Sequence, residues 1–464
     1  MHCDHDIAIV GGGAAGTLAA IQLLRRAPAG WRIALYEPAP RPGEGVAYST
    51  RRGEHLLNVP AGRMSAFPDA PDDFVRWLLR HDDAGADQRQ AAAGRYMPRR
   101  DYAAYLAARL REALAGSAGT LEHLPYRIRA ARRQGGVWRL ERDGATSTAA
   151  RVLLATGNAP RPLPARGAGA LSAPHLLQAW DSEGLAAIDP AASVCIAGTG
   201  LSMVDAVLTL AASGHRGPVH LLSRHGLLPL AHAADATVDA GFDVDALHRL
   251  DLRGRMRVLR QRVAVAATEG LPWQAVLERM RPQVQALWRS LGEADQRRFL
   301  RHVVRYWGIH RHRIAPEADA VLQALRHSDR LQLHRARLDL VAAGPRCVHL
   351  AARRRDGRRL QLDVDHVVNA TGVELRVQAM RNPLLEQLLG EGLAEAGAHG
   401  IGLLSDTGGR VVDAGGRAQD DLRVLGSLRI GEAWESLAVP ELRGQAEALA
   451  LAWTGTAAPA AAPA

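Results

Sequence analysis

Glycines 11, 13 and 16 stand in a G-x-G-x-x-G arrangement directly after the apolar run Ile7–Val10, and Thr17 to Arg26 continues with helical character. That order lets a backbone turn approach a pyrophosphate while a helix N-terminus faces it. Gly11, Gly13, Ala14, Ala15 and Gly16 are therefore the expected cradle. A second apolar strand, Arg32–Tyr36, ends at Glu37, at the distance past the glycines where an acid binds ribose hydroxyls. A second, degenerate fingerprint follows Ala191–Ala197: Gly198, Gly200, Leu201 and Ser202, with Met203 in place of the third glycine. Its next strand, Pro218–Leu222, ends in Ser223-Arg224-His225. Where a site for NAD would carry an acid, Arg224 stands, and a guanidinium suits the extra phosphate of NADPH, with Ser223 as a further donor. One chain with two such sites implies hydride transfer from NADPH to FAD.

The flavin needs a dry pocket with hydrogen bonds to its ring. Asn58, in an apolar stretch, and Trp434 are the candidate catalytic residues. Trp434 and Glu435 precede a helix that begins near Pro440, whose dipole would favour the electron-rich end of reduced flavin. Two Ala-Thr-Gly turns, at Thr156-Gly157 and Thr371-Gly372, each follow a strand-like run and resemble the turns at which two-dinucleotide flavoproteins cross between lobes. With Gly426 on the return segment, they complete the expected cofactor contacts.

Other clusters carry less. His302, His310 and His312 with Arg305, Arg311 and Arg313 form the densest basic group. The two-residue step from His310 to His312 is not the i, i+4 spacing of two ligands on a helix, and no metal is expected. Arg311 or Arg313 could instead hold a substrate carboxylate, with a solvated arginine or one facing the NADP phosphate as the equal alternative. Cys3, Cys195 and Cys347 have no CxxC spacing, which argues against a dithiol reductase and suits a reducing compartment. His2, Cys3 and His5 sit ahead of the first strand and are not expected to bind metal.

The 464 residues exceed a single core and suit several lobes. The formal charge is +10 and all 58 basic residues are arginine, because the chain has no lysine. That composition excludes a Walker A loop and Schiff-base chemistry. Positive charge is spread without interleaved aromatics, so nucleic acid is not an expected partner. Ile7–Leu24 lacks charge, yet Asp4 and Asp6 precede it and its glycines belong to the fingerprint. Neither a membrane span nor a signal peptide is expected, and the expected location is cytoplasmic.

These signals predict an α/β fold of two Rossmann-like dinucleotide-binding lobes, an FAD lobe with an inserted NADPH lobe, plus a helical subdomain. The expected FAD lobe is 1–165 with 373–464, and the NADPH lobe is 166–372. Helical periodicity across about 243–328 marks the subdomain, and an Ala/Pro tail from about 455 is expected to be disordered.

The stretches Gly43–Ser49, His55–Met64, Pro98–Arg100, Gly198–Asp205, Ser223–Pro229, His310–Arg313 and Gly431–Glu441 resemble the bacterial FAD/NAD(P)-binding proteins. That family is similar in turn to the flavin-containing and N-hydroxylating monooxygenases. The resemblance implies a single-component monooxygenase that works through a hydroperoxyflavin and takes O2 and a small polar or amino-group substrate. The linker signature of flavin monooxygenases is altered here: Gly169, His175 and Trp180 are present, no phenylalanine precedes Gly169, and the gaps are longer. A dehydrogenase that passes electrons to another acceptor, and a non-catalytic FAD/NAD(P)-binding sensor, remain as alternatives.

Overall fold

The computed structural model describes residues 3–80, 85–233 and 238–455. The chain forms two compact units: 1–51, 60–159 and 374–464 make the first, and 52–59 with 160–373 make the second. The expected lobe boundaries shift by a few residues at 159 and 374. The segment 52–59, expected with the FAD lobe, groups instead with the second unit. Its polar side chains give the reason. His55 Nε2 lies 2.8 Å from Thr209 Oγ1 and 3.2 Å from the Asp205 carbonyl, and Arg52 donates to Ser213 Oγ at 2.7 Å.

The first unit is built on a parallel sheet. Strand β1 (His5–Val10) lies between β2 (Arg32–Tyr36) and β6 (Ala145–Leu154). β3 (Thr120–Leu124) extends the sheet beyond β2, and β15 (Ala418–Val424) lies parallel to β6 on the other side. An antiparallel pair, β4 (Ala130–Gln134) and β5 (Val137–Arg142), joins through β5 to β6, and β14 (Arg410–Val412) closes the far edge against β15. β1 is buried at nearly every position, as expected of a parallel strand covered on both faces. One face packs Ala8, Val10, Tyr36, Trp138, Val152 and Leu154 against Leu384 and Leu388. Helix α1 (Ala14–Leu24) lies on β1 and β2, and the final helix α4 (Val439–Thr454) packs along it, with Arg26 Nη2 2.8 Å from Glu447 Oε1.

The second unit repeats the plan. β8 (Val194–Ala197) lies between β9 (Val219–Ser223) and β13 (His366–Asn369), all parallel. β7 (Leu176–Gln178) flanks β13, and β10 (Leu331–Ala343) flanks β9 before turning back into the antiparallel β11 (Val348–Arg354) and β12 (Arg359–Val364). Helix α2 (Leu201–Ala212) follows β8. Cys195 is a fully buried core residue of this sheet, and burial pushes its thiol up to about 12.

Between β9 and β10 the chain is helical from Asp245 to His327, close to the span that periodicity marks. Its longest helix, α3 (Leu252–Thr268), is capped by Asp251, whose Oδ1 accepts from Gly254 N at 2.7 Å. Phe242, Leu247, Val276, Met280 and Leu287 give this segment a core of its own. No helix among the described residues is long and apolar enough to cross a membrane. Residues 456–464, where the disordered tail is expected, lie outside the described residues, as does His2.

Candidate dinucleotide sites

The two fingerprints have the same geometry. Gly11 and Gly198 hold φ of +107° and +108°, a region that favours glycine. A Cβ at Gly11 would overlap the Ala155 carbonyl, and one at Gly198 would overlap the Ala370 carbonyl. Each Ala-Thr-Gly turn therefore has a definite duty: the strand beside the first one (β6, then β13) carries its last carbonyl against the first glycine. Ala155 N in turn donates to Val10 O, and Ala370 N to Ala197 O. Gly13 and Gly200 cap their helices with extended backbone and no side-chain bond. The first-turn amides at Ala14, Ala15, Leu201 and Ser202 therefore face no capping side chain, the arrangement that receives a phosphate. A Cβ on Gly200 meets nothing within 4 Å, and one on Gly13 meets only Gly45 Cα at 3.5 Å.

Gly16 and Met203 separate the two sites. A Cβ on Gly16 would overlap the Gly11 carbonyl, so α1 sits hard against its turn. Met203 takes the equivalent place in α2 and is fully buried, which the second unit accommodates without a glycine.

At the first site Glu37 receives Gly12 N on Oε2 at 2.8 Å and Ala39 N on Oε1 at 2.9 Å. The carboxylate is thus fixed at the glycine turn with lone pairs to spare for hydroxyl donors. Gly12, which the fingerprint leaves unspecified, is also required, since its Cβ would lie 2.6 Å from Glu37 Cβ. Thr156 Oγ1 is buried and finds no partner among the described residues, and Gly157 next to it has φ +74° and open space around it there. On the return segment Gly426 has φ +80°, and its Cβ would meet Ala15 Cβ at 3.2 Å. Ser427 and Ser436, which sequence reasoning passed over, are buried with hydroxyls that find no partner among the described residues. Trp434 lies between them, buried, and Glu435 after it holds φ +67°. Unsatisfied buried hydroxyls beside an open glycine cradle fit a polar ligand such as FAD.

At the second site Thr371 Oγ1 donates to Asn369 Oδ1 at 2.7 Å, and Gly372 O accepts from Arg161 N at 3.1 Å. Ser223 is tied into its own loop. Its Oγ accepts from Gly226 N at 3.0 Å and lies 2.9 Å from Thr199 Oγ1, which is 2.6 Å from the Leu227 carbonyl. Thr199 Oγ1 donates within this loop, and Ser223 Oγ accepts from Gly226 N, so Ser223 shapes the turn after β9. Arg224 is exposed, and no acidic side chain among the described residues pairs with it.

Its neighbours are cationic. Burial, then Arg224 and Arg161, lower the pKa of Arg305, and burial with Arg224, Arg305 and Arg335 lowers that of His225. The helix Val304–Arg311 reaches this loop through the His225 and Tyr306 rings, 6.5 Å apart, and through Leu230 N donating to Ile309 O. Arg161, Arg224 and Arg335 thus gather around Arg305 and His225, and the end of β9 carries positive charge suited to a phosphate.

Asn58 belongs to the second unit, where its carbonyl accepts from His232 Nε2 at 2.9 Å, whereas Trp434 belongs to the first. Arg313 does not await a carboxylate substrate: it is buried and ion-paired with Glu278. His310 packs edge-on to Trp273, ring centroids 4.9 Å apart. The linker residue His175 is a structural bridge, its carbonyl accepting from Val367 N at 2.8 Å.

Residues 8–159 match the family model described as FAD-NAD(P)-binding. Among solved structures, reduced ornithine hydroxylase from Pseudomonas aeruginosa aligns over 97% of this chain and 99% of its own, at 18% identity and a TM-score of 0.65. Ornithine N-hydroxylase from Kutzneria sp. 744, solved with reduced FAD, NADP+ and L-ornithine, covers 96% and 97%, at 16% identity and a TM-score of 0.63. Thioredoxin reductase from T. acidophilum covers 98% and 99% but reaches a TM-score of only 0.52, at 12% identity. No curated protein matches the chain in sequence. The FAD-NAD(P)-binding match thus falls on residues 8–159, and the chain as a whole has the α/β fold seen in these hydroxylases and in thioredoxin reductase.

Proposed function

We propose that the protein is an FAD- and NADPH-dependent single-component monooxygenase that hydroxylates the amine nitrogen of a small polar substrate. The observation that carries this is the pair of matching glycine cradles, the second of which is followed by a strand that ends among Arg224, Arg305 and Arg335. FAD supplies the hydride acceptor and the oxygen chemistry when bound. Gly11, Gly13, Ala14, Ala15 and Gly16 would hold its pyrophosphate, Glu37 its ribose, and Thr156, Gly157 and Gly426 would line its path. Gly198, Gly200, Leu201 and Ser202 would hold the NADPH pyrophosphate, beside Thr371 and Gly372, with Arg224 on the 2′-phosphate. Trp434, buried in the first unit, would border the flavin ring and keep water from it, and Asn58, in the second unit, is the other proposed catalytic residue.

Likeness to the ornithine hydroxylases over nearly the full chain supports an amine substrate, and the lack of a CxxC pair disfavours a dithiol reductase. Oxygen uptake with NADPH, measured with and without ornithine, lysine and cadaverine, tests this. Amine-stimulated uptake with a product one oxygen heavier is expected. Turnover of an artificial electron acceptor, with no oxygenated amine formed, would favour the dehydrogenase reading.

A further inference from the structure

We propose that Cys347, His349 and Asp363 form a reactive-thiol site on the outer hairpin of the second unit, a place where an electrophile or a peroxide modifies the chain. The arrangement follows from strand register. Gly344 N donates to Cys347 O at 2.7 Å, closing a turn that delivers Cys347 to the head of β11. His349 is two residues on, hence on the same face of the strand. β11 pairs with β12 so that His349 stands directly opposite Asp363, and its Nδ1 lies 2.6 Å from Asp363 Oδ1. That bond places the ring proton on Nδ1 and leaves Nε2 as the acceptor, 4.0 Å from Cys347 Sγ. On the other side β10 presents Ala342 opposite His349, and Arg346 is the charged residue of the turn.

A nucleophile, a base and a carboxylate that orients the base are thus in sequence on one edge. The glycine has a matching role: a Cβ at Gly344 would lie 2.5 Å from His349 Nε2, so only glycine leaves the imidazole where it is.

The chemistry balances with a peroxide as co-reactant. The thiol proton moves to His349 Nε2, the thiolate sulfur bonds to one peroxide oxygen, and the O–O bond breaks. Hydroxide leaves and takes the proton back as water, so sulfur is oxidised to a sulfenic acid while the peroxide is reduced. An alkylating agent follows the same path, with halide as leaving group. Neither step involves the dinucleotides, so the inference stands apart from the function proposed above.

Cys3, also partly exposed, is the internal reference. The holoprotein is treated with limiting iodoacetamide, and labelling of each cysteine is followed by peptide mass spectrometry; a second arm uses hydrogen peroxide with a sulfenate trap. Cys347 is expected to react about ten-fold faster than Cys3 at neutral pH. His349→Gln and Gly344→Ala should bring it down to the Cys3 rate, and Asp363→Asn should lower it in part. Flavin content and NADPH consumption should be unchanged in all three, which separates loss of the thiol site from loss of fold. Equal labelling of Cys347 and Cys3 in the wild type, or an undiminished Cys347 rate in His349→Gln, overturns the proposal.

Discussion

Gly13 and Gly16 sit three residues apart in one turn, yet a side chain on each would meet different things. At Gly13 the nearest protein atom to a new Cβ is Gly45 Cα at 3.5 Å, so Gly13→Val should fold and fail only to retain FAD. At Gly16 the new Cβ overlaps the Gly11 carbonyl, so Gly16→Val should lose stability as well as cofactor. Flavin absorbance of the purified variants, with thermal melts of their apo forms, checks both. A yellow, fully loaded Gly13→Val would remove this turn from the FAD site. In the proposed function Arg224 carries the coenzyme choice. Replacement by Ala should raise KM for NADPH and spare NADH, a loss of roughly ten- to hundred-fold in the ratio of specificity constants for a charge-assisted contact of about 1.5 to 3 kcal/mol. Equal loss for both coenzymes would assign Arg224 to structure alone.

Among the elements, the helical segment between β9 and β10 has its own acid-sensitive clasp. Asp239 is buried and takes both its oxygens to Arg262, with Nη2 2.6 Å from Oδ1, while Gly241 N donates at 3.1 Å. These bonds, Arg262 first, hold the carboxyl below its usual range. A depressed carboxyl contributes stability above its unfolded value, near 4, and loses it as pH falls through the lower folded value. The wild type should therefore shed this contribution only below about pH 4, whereas Asp239→Asn should melt lower at neutral pH and lack that acid step. Thermal melts of both proteins between neutral and acid pH decide it, and superimposed curves would contradict it.

The strands and helices that flank each fingerprint were legible because their signals are local: β1, α1, β2 and β9 fall where apolar runs and glycines put them. What was not legible depends on distant pairing. Nothing near 52–59 in sequence announces that His55 and Arg52 reach α2. The engagement of Ser223 by Thr199 and Gly226 emerges only once the loop after β9 is folded, and the opposition of His349 to Asp363 only once β11 and β12 are in register. Glu37 was found from spacing, yet its hold on Gly12 and Ala39 was not.

For the whole molecule, the proposed function requires that NADPH reduce a bound FAD. The same two cradles in a protein that only senses coenzyme would bind both nucleotides and pass nothing. Anaerobic mixing of the purified yellow protein with NADPH, and in parallel with NADH, reads this directly from the oxidised-flavin absorbance. The account predicts complete bleaching by NADPH within the time of a turnover and slower or weaker bleaching by NADH. A flavin that stays yellow under saturating NADPH, or one that NADH reduces as well as NADPH does, would contradict it.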